Sequence, residues 1–144
     1  MLAVDIPGFG RLNLEHLVLD YNGTLAVDGA LVAGVPERLR RLSAGLRVHV
    51  ITADTRGVAR AALAGLPLEL DILADGAEAE GKLDYVRRLG AHRVAAIGNG
   101  RNDALMLGEV ALGIAVLEKE GLAVDALTSA AAVAPGIEAA LDML

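Results

Sequence analysis

The chain has 144 residues, enough for one domain with a buried core. It is 54% hydrophobic but only 2% aromatic, so Ala, Val, Leu and Ile must build that core, a mixture suited to parallel strands buried under Ala/Leu-rich helices. A net charge of −6, no basic tract and no cysteine argue against a nucleic-acid or anionic-membrane surface, and they exclude disulfides, thiolate nucleophiles and Cys-ligated zinc.

Residues 2–14 read as a short hairpin around Pro7-Gly8-Phe9-Gly10. The apolar run His16-Leu17-Val18-Leu19 reads as a strand that ends in Asp20. Asp20-Tyr21-Asn22-Gly23-Thr24 then places a carboxylate before a turn whose free backbone N–H groups are expected to hold a phosphoryl oxygen. Residues 25–33 form a small flap turning at Asp28-Gly29, a hairpin signal. A helix from Pro36 to Gly45 presents Val35, Leu39 and Leu42 at helical spacing.

A second strand, Leu46 to Ile51, runs into Thr52-Ala53-Asp54-Thr55, and a helix follows from about Arg56 to Ala64. Leu68 to Leu73 is a weaker strand. Glu78 to Leu89 is helical, with Ala79, Leu83 and Val86 read as its inward face. Arg93 to Ile97 is a strand leading into Gly98-Asn99-Gly100-Arg101-Asn102-Asp103. A short helix, a strand at Ala111–Val116, a helix near Gly121–Leu127, a stub at residues 131–133 and a last helix after Pro135 complete the chain. This alternation predicts a three-layer α/β fold, Rossmann-like, with a parallel sheet between two helical layers. Ligands of such sheets bind beyond the carboxyl ends of the strands, where Asp20, Thr52 and the loop 98–103 all fall.

Met1 to Gly8 holds Asp5 and Pro7 and has no basic flank, unlike a signal peptide. The longest apolar run, Val110 to Leu117, is about eight residues, against about 20 for a membrane helix. A soluble, cytoplasmic protein with no membrane contact is the expectation.

The Asp20 segment, a strand-ending Thr52, Lys82 in a later helix and the Gly98–Asp103 loop, in that order, resemble the four motifs of the haloacid-dehalogenase-like (HAD-like) phosphohydrolases. Thr52-Ala53-Asp54 also resembles the Thr-Gly-Asp of P-type ATPase phosphorylation domains, which points to a small, soluble P-type-ATPase-like branch. The resemblance runs from residue 16 to about 117. It implies that Asp20 attacks a phosphoryl group to form an aspartyl-phosphate, a recognised covalent strategy. It implies further that Thr52 donates to a phosphoryl oxygen and that Lys82 places a positive charge beside nucleophile and phosphate. Gly23, Thr24 and Ala53 complete the phosphate site, and Mg²⁺ is held by Asp20, the Asn22 carbonyl, Asn99 and Asp103.

Two positions depart from the family pattern. Asn22 stands where most members carry the acid/base Asp, and a carboxamide cannot transfer that proton. General acid–base help is worth about 10² to 10⁴ in rate, so turnover is expected to be slow. Asn99 stands where the loop's first Asp is usual, which predicts weaker Mg²⁺ binding. Both are Asn-Gly pairs, which also favour tight turns.

Plainer alternatives exist for each residue. Asp20 could cap its own turn, Asp54 or Thr55 could be helix N-caps, and Lys82 on an acidic helix could be solvated. Asp103 could be a first-turn acid facing the helix dipole. Arg56 and Arg101 are candidates to approach the phosphate, although arginines usually lie on the surface. His16, His49 and His92 are dispersed without ligand spacing, which argues against a His metal site.

The intervals 22–52 and 55–81 are too short for a cap domain or for the nucleotide-binding insertion of ion pumps. The reading is therefore one capless domain over 1–144, its site open unless a neighbouring copy covers it in a homo-oligomer. The expected activity is a Mg²⁺-dependent phosphohydrolase (phosphatase or ATPase-like) acting on a small phosphorylated molecule or nucleotide. The alternative is a phosphate- or nucleotide-binding regulatory module that has lost turnover. A two-component receiver fits less well, because its acceptor Asp lies mid-chain after an acidic pair.

Overall fold

The computed structural model describes residues 1–54 and 56–144. Among the described residues, ten strands and six α-helices follow one another as β1 (Leu2–Ile6), β2 (Gly10–Leu14), β3 (His16–Asp20), β4 (Ala26–Val27), β5 (Ala30–Leu31), α1 (Val35–Leu42), β6 (Arg47–Thr52), α2 (Val58–Ala62), β7 (Glu69–Ile72), α3 (Glu78–Leu89), β8 (Val94–Gly98), α4 (Ala104–Glu109), β9 (Leu112–Val116), α5 (Val124–Ser129), β10 (Ala132–Ala134) and α6 (Ile137–Asp142). Six strands form one sheet in the order β10-β9-β8-β3-β6-β7. Every pairing within it is parallel.

The burial of β3 explains its composition. All five of its residues are buried, because the strand is central and covered on both faces. Its side chains alternate between two cores. Leu17 and Leu19 join Val48, Val50, Ile97 and Ile114 under α1, α2 and α6, whereas Val18 joins Ile51, Val86, Ala96 and Met106 under α3, α4 and α5. Each fully buried Leu or Ile contributes about 1.5–3 kcal/mol, which lets a core nearly free of aromatics hold the layers together. The hairpin β1–β2 packs Leu2, Val4, Ile6 and Leu12 on the first core, and Phe9 stands half exposed at its tip.

From β3 the chain crosses to β6 on one side and later returns to β8 on the other. The strand order therefore reverses at the carboxyl end of β3, a crevice that such sheets use for ligands. Asp20 is the last residue of β3. Beside it the flap β4–β5 turns through Asp28 and Gly29, both at positive φ (52° and 80°), as its two-residue turn requires. Among the described residues, only α2, β7 and short connections lie between Thr52 and Lys82, and no cap unit is inserted there.

Two local expectations need correction. The helix after the second strand spans only Val58–Ala62, with Gly57 at φ 70° preceding it. The buried face of α3 is Lys82, Tyr85 and Val86, while Ala79 and Leu83 are only half-buried. The apolar spacing placed the stripe one position off because its centre is occupied by a lysine.

Candidate active site

Asp20 is buried at the end of β3, and Lys82 reaches it from α3. The Lys82 ammonium donates to Asp20 Oδ1 at 2.8 Å and to Asp103 Oδ1 at 2.7 Å. Lys82 is 1% exposed and Asp103 0%, so one ammonium links two carboxylates with almost no water around it. An ammonium has three donors, so one N–H remains for a ligand.

Asp103 is fixed on both sides. Its Oδ2 accepts the backbone N–H groups of Asn99 (3.0 Å) and Gly100 (2.9 Å), folding the loop after β8 around the carboxylate. The same packing explains Gly98, where a Cβ would lie 2.5 Å from the Asp103 carboxyl carbon. Asp103 therefore bonds Lys82 through Oδ1 and its own loop through Oδ2, and it does not line the cleft.

The turn after Asp20 also differs from expectation. Gly23 N–H donates to Ala26 O (2.8 Å) and Thr24 N–H to Tyr21 O (3.2 Å), so neither is free for a phosphoryl oxygen. Thr24 is fully buried, with its hydroxyl 3.2 Å from Asp20 Oδ2 and 3.3 Å from Asn99 Oδ1. The hydroxyl orients the carboxylate from beneath and stays out of the cleft. Gly23 has φ 74°, and a Cβ there would come within 2.5 Å of Asn99 Nδ2, so the turn and the loop after β8 meet only because this residue is glycine. Asn99 in turn donates to Gly121 O at 3.2 Å.

The cleft over these groups is about 380 Å³ and is lined by Asp20, Asn22, Gly23, Thr52, Ala53, Glu78, Lys82, Asn99, Gly100, Asn102 and Glu120. A second cleft of about 320 Å³ shares Asn22 and Ala53 and extends past Asp28, Asp54, Arg56 and Val58. Asp54 accepts the N–H groups of Val58, Ala59 and Arg60 at 3.0, 3.1 and 3.3 Å, so it caps α2. The parallel expectation for Thr55 lies outside the described residues. Arg101 points away from the cleft and pairs with Asp125 at 3.1 Å, and Arg56 reaches only the second cleft.

Glu78, Asn102 and Glu120 were not anticipated as cleft residues. Glu78 precedes Lys82 by four residues, which puts the two on one helix face and could have flagged it. Glu120 lies after β9 and carries no such signal.

Burial, reinforced by the Asp103 carboxylate, pushes the Asp20 carboxyl up to about 7, against the pull of Lys82. Burial opposes the charge on Lys82, but the two carboxylates outweigh it and hold its pKa above the ordinary lysine value. The cleft carries three carboxylates (Asp20, Glu78, Glu120) against one ammonium. An anionic phosphoester meets net repulsion there unless a cation enters with it. The lining includes carboxylate side chains (Asp20, Glu78, Glu120) and carboxamides (Asn22, Asn99, Asn102), oxygen chemistry that suits a hard divalent cation such as Mg²⁺. Among the described residues, no three His, Cys, Asp or Glu side chains converge on one point, so backbone and Asn oxygens would have to complete the shell.

Solved structures with the same arrangement of layers include a HAD-superfamily (subfamily III A) hydrolase described as putative from Legionella pneumophila. It has a TM-score of 0.74 and 19% identity over 90% of this chain and 81% of that one. The chain has the HAD-like fold. The HAD-like fold is also that of 3-deoxy-D-manno-octulosonate 8-phosphate phosphatase from Moraxella catarrhalis, solved with magnesium, phosphate and KDO (TM-score 0.71, 16% identity, 90% of this chain and 82% of that one). By sequence the chain is similar to Copper-transporting ATPase 2 of Rhizobium meliloti (strain 1021), 35% identical over 131 residues, which is 79% of this chain. It spans only 15% of that ATPase's length. No protein-family model matches the chain.

Proposed function

We propose that the chain is a phosphohydrolase domain that uses Asp20 as nucleophile and Mg²⁺ as cofactor and acts on a small phosphorylated molecule. The observation that carries this reading is the Lys82 ammonium at 2.8 Å from Asp20 and 2.7 Å from Asp103, at the point where the strand order reverses. Its resemblance to ATPases and its HAD-like fold support the same class.

Asp20, ionised, attacks phosphorus through a carboxylate oxygen, and the P–O bond to the leaving group breaks in line with that attack. Lys82 and the Thr52 hydroxyl stabilise the charge spread over the transferring oxygens. Asp20, the Asn22 carbonyl and Asn99 would hold Mg²⁺, which when bound neutralises the phosphoryl charge. Asp103 holds Lys82 and the loop 98–103 in position. The leaving oxygen takes its proton from water, because the Asn22 carboxamide is no acid. Water then cleaves the acyl-phosphate, again without a base at position 22, so this step is slow. Release of phosphate from phosphomonoesters with Mg²⁺, lost in Asp20→Asn, tests the reading. Equal release by the variant overturns it.

Asn22 and Asn99 in the cleft favour a second reading, a binding module without turnover. Tight Mg²⁺-dependent binding of phosphate analogues with no phosphate release would select it.

A further inference from the structure

A buried polar cluster lies outside the cleft. His16 Nδ1 and His49 Nε2 are 3.0 Å apart, and His49 Nδ1 is 2.9 Å from the Tyr85 hydroxyl. The three residues are 6%, 1% and 9% exposed. Sequence spacing could not reveal the pair, because His16 and His49 meet only once β3 and β6 lie side by side. The protons close in two arrangements. Either Tyr85 donates to His49, which donates to His16, or His16 donates to His49, which donates to Tyr85. Each arrangement satisfies both contacts, and among the described residues no buried side-chain polar atom lacks a partner.

The placement of the cluster gives it a consequence for the site. His16 is on β3, which ends in Asp20; His49 is on β6, which ends in Thr52; Tyr85 is on α3, which carries Lys82. Each member of the chain thus sits on the element that presents one of the three site residues, three or four positions away. Tyr85 and Lys82 are one helical turn apart on the same face. The neighbouring contacts of α3 with the sheet come from Val86 and Leu89, which are apolar. Apolar contact is non-directional and lets a helix slide, whereas a hydrogen bond at 2.9 Å fixes height and rotation.

We propose that Tyr85, His49 and His16 form a positioning chain that sets α3 on the sheet and thereby holds Lys82 against Asp20 and Asp103. The consequence for turnover rests on the phosphohydrolase reading; the positioning itself does not.

The protein has two lysines, Lys82 and the exposed Lys119, so ¹⁵N-lysine labelling gives two side-chain signals. In the wild type, the Lys82 ammonium protons should exchange at least about tenfold more slowly than those of Lys119, as expected for a buried, doubly bonded group. Tyr85→Phe keeps the ring and removes the hydroxyl. It should speed Lys82 exchange about tenfold and weaken Mg²⁺–beryllofluoride binding by a similar factor. Leu89→Ala destabilises the same helix without touching the chain and should leave Lys82 exchange within twofold of wild type. His49→Asn keeps a polar atom near the Nδ1 position and should fall between the two, and it serves if Tyr85→Phe does not fold. Unchanged Lys82 exchange in Tyr85→Phe and His49→Asn, or equally fast exchange in Leu89→Ala, overturns the proposal. A wild type that releases no phosphate yet loses Lys82 protection in Tyr85→Phe sinks the enzyme reading and keeps the positioning chain.

Discussion

Lys82 meets Asp103 at 2.7 Å with both side chains sealed from solvent, and the same ammonium stands 2.8 Å from Asp20. Removing one partner of a buried ion pair leaves an uncompensated charge. Lys82→Met should therefore cost about 3–5 kcal/mol, because Asp20 and Asp103 would face each other without a cation. Urea unfolding measures this, and a loss below about 1 kcal/mol would mean that water already screens the pair.

In the proposed mechanism Asn22 takes the place of an acid/base at the leaving group. Asn22→Asp should raise steady-state phosphate release by about 10² to 10⁴. Stopped-flow phosphate detection would show the gain in the hydrolysis of the acyl-phosphate. No gain would mean that another step limits turnover.

Gly23 lies against Asn99 at φ 74°, where a methyl group would come 2.5 Å from Asn99 Nδ2. Gly23→Ala should destabilise the protein by about 1–3 kcal/mol through backbone strain and displacement of Asn99. Thermal unfolding, together with loss of Mg²⁺–beryllofluoride binding, reports both effects.

Burial holds both His16 and His49 below the ordinary histidine range. The charged groups facing them are Glu15, Arg47, Glu69 and Arg93, with the Tyr85 hydroxyl on the helix side. A depressed pKa means that the unfolded chain takes up protons first on acidification. Their contribution to stability is thus complete above about pH 6.5 and is lost as pH falls through the folded-state values. The raised Asp20 carboxyl acts in the opposite sense over this range, so the histidine contribution is read as a difference: between pH 7.5 and 5 the urea midpoint of His49→Asn should fall less, or rise more, than that of the wild type. An unchanged slope in the variant would assign the acid sensitivity elsewhere.

The layers were legible because β3, β6, β8 and β9 read as apolar runs separated by helical spacing, and because Asp20, Thr52 and the loop 98–103 close three of those strands. Less visible was anything decided by neighbours remote in sequence. Lys82 looks solvated among Glu78, Glu80 and Asp84, and only the sheet beneath α3 makes it the centre of the buried face. Asp103 has the chemistry of a metal ligand and Thr24 that of a phosphate donor, yet both are fully buried and neither lines the cleft. The His16–His49 contact depends on strand pairing, which no local pattern encodes.

Covalent trapping tests the central claim most directly. The protein is incubated with Mg²⁺ and acetyl phosphate, quenched in acid, and its peptides are mapped by mass spectrometry. One phosphoryl group on Asp20, removed by hydroxylamine and absent from Asp20→Asn, is the predicted result. Phosphate release by the wild type with no label on Asp20, or with the label on another residue, would contradict it.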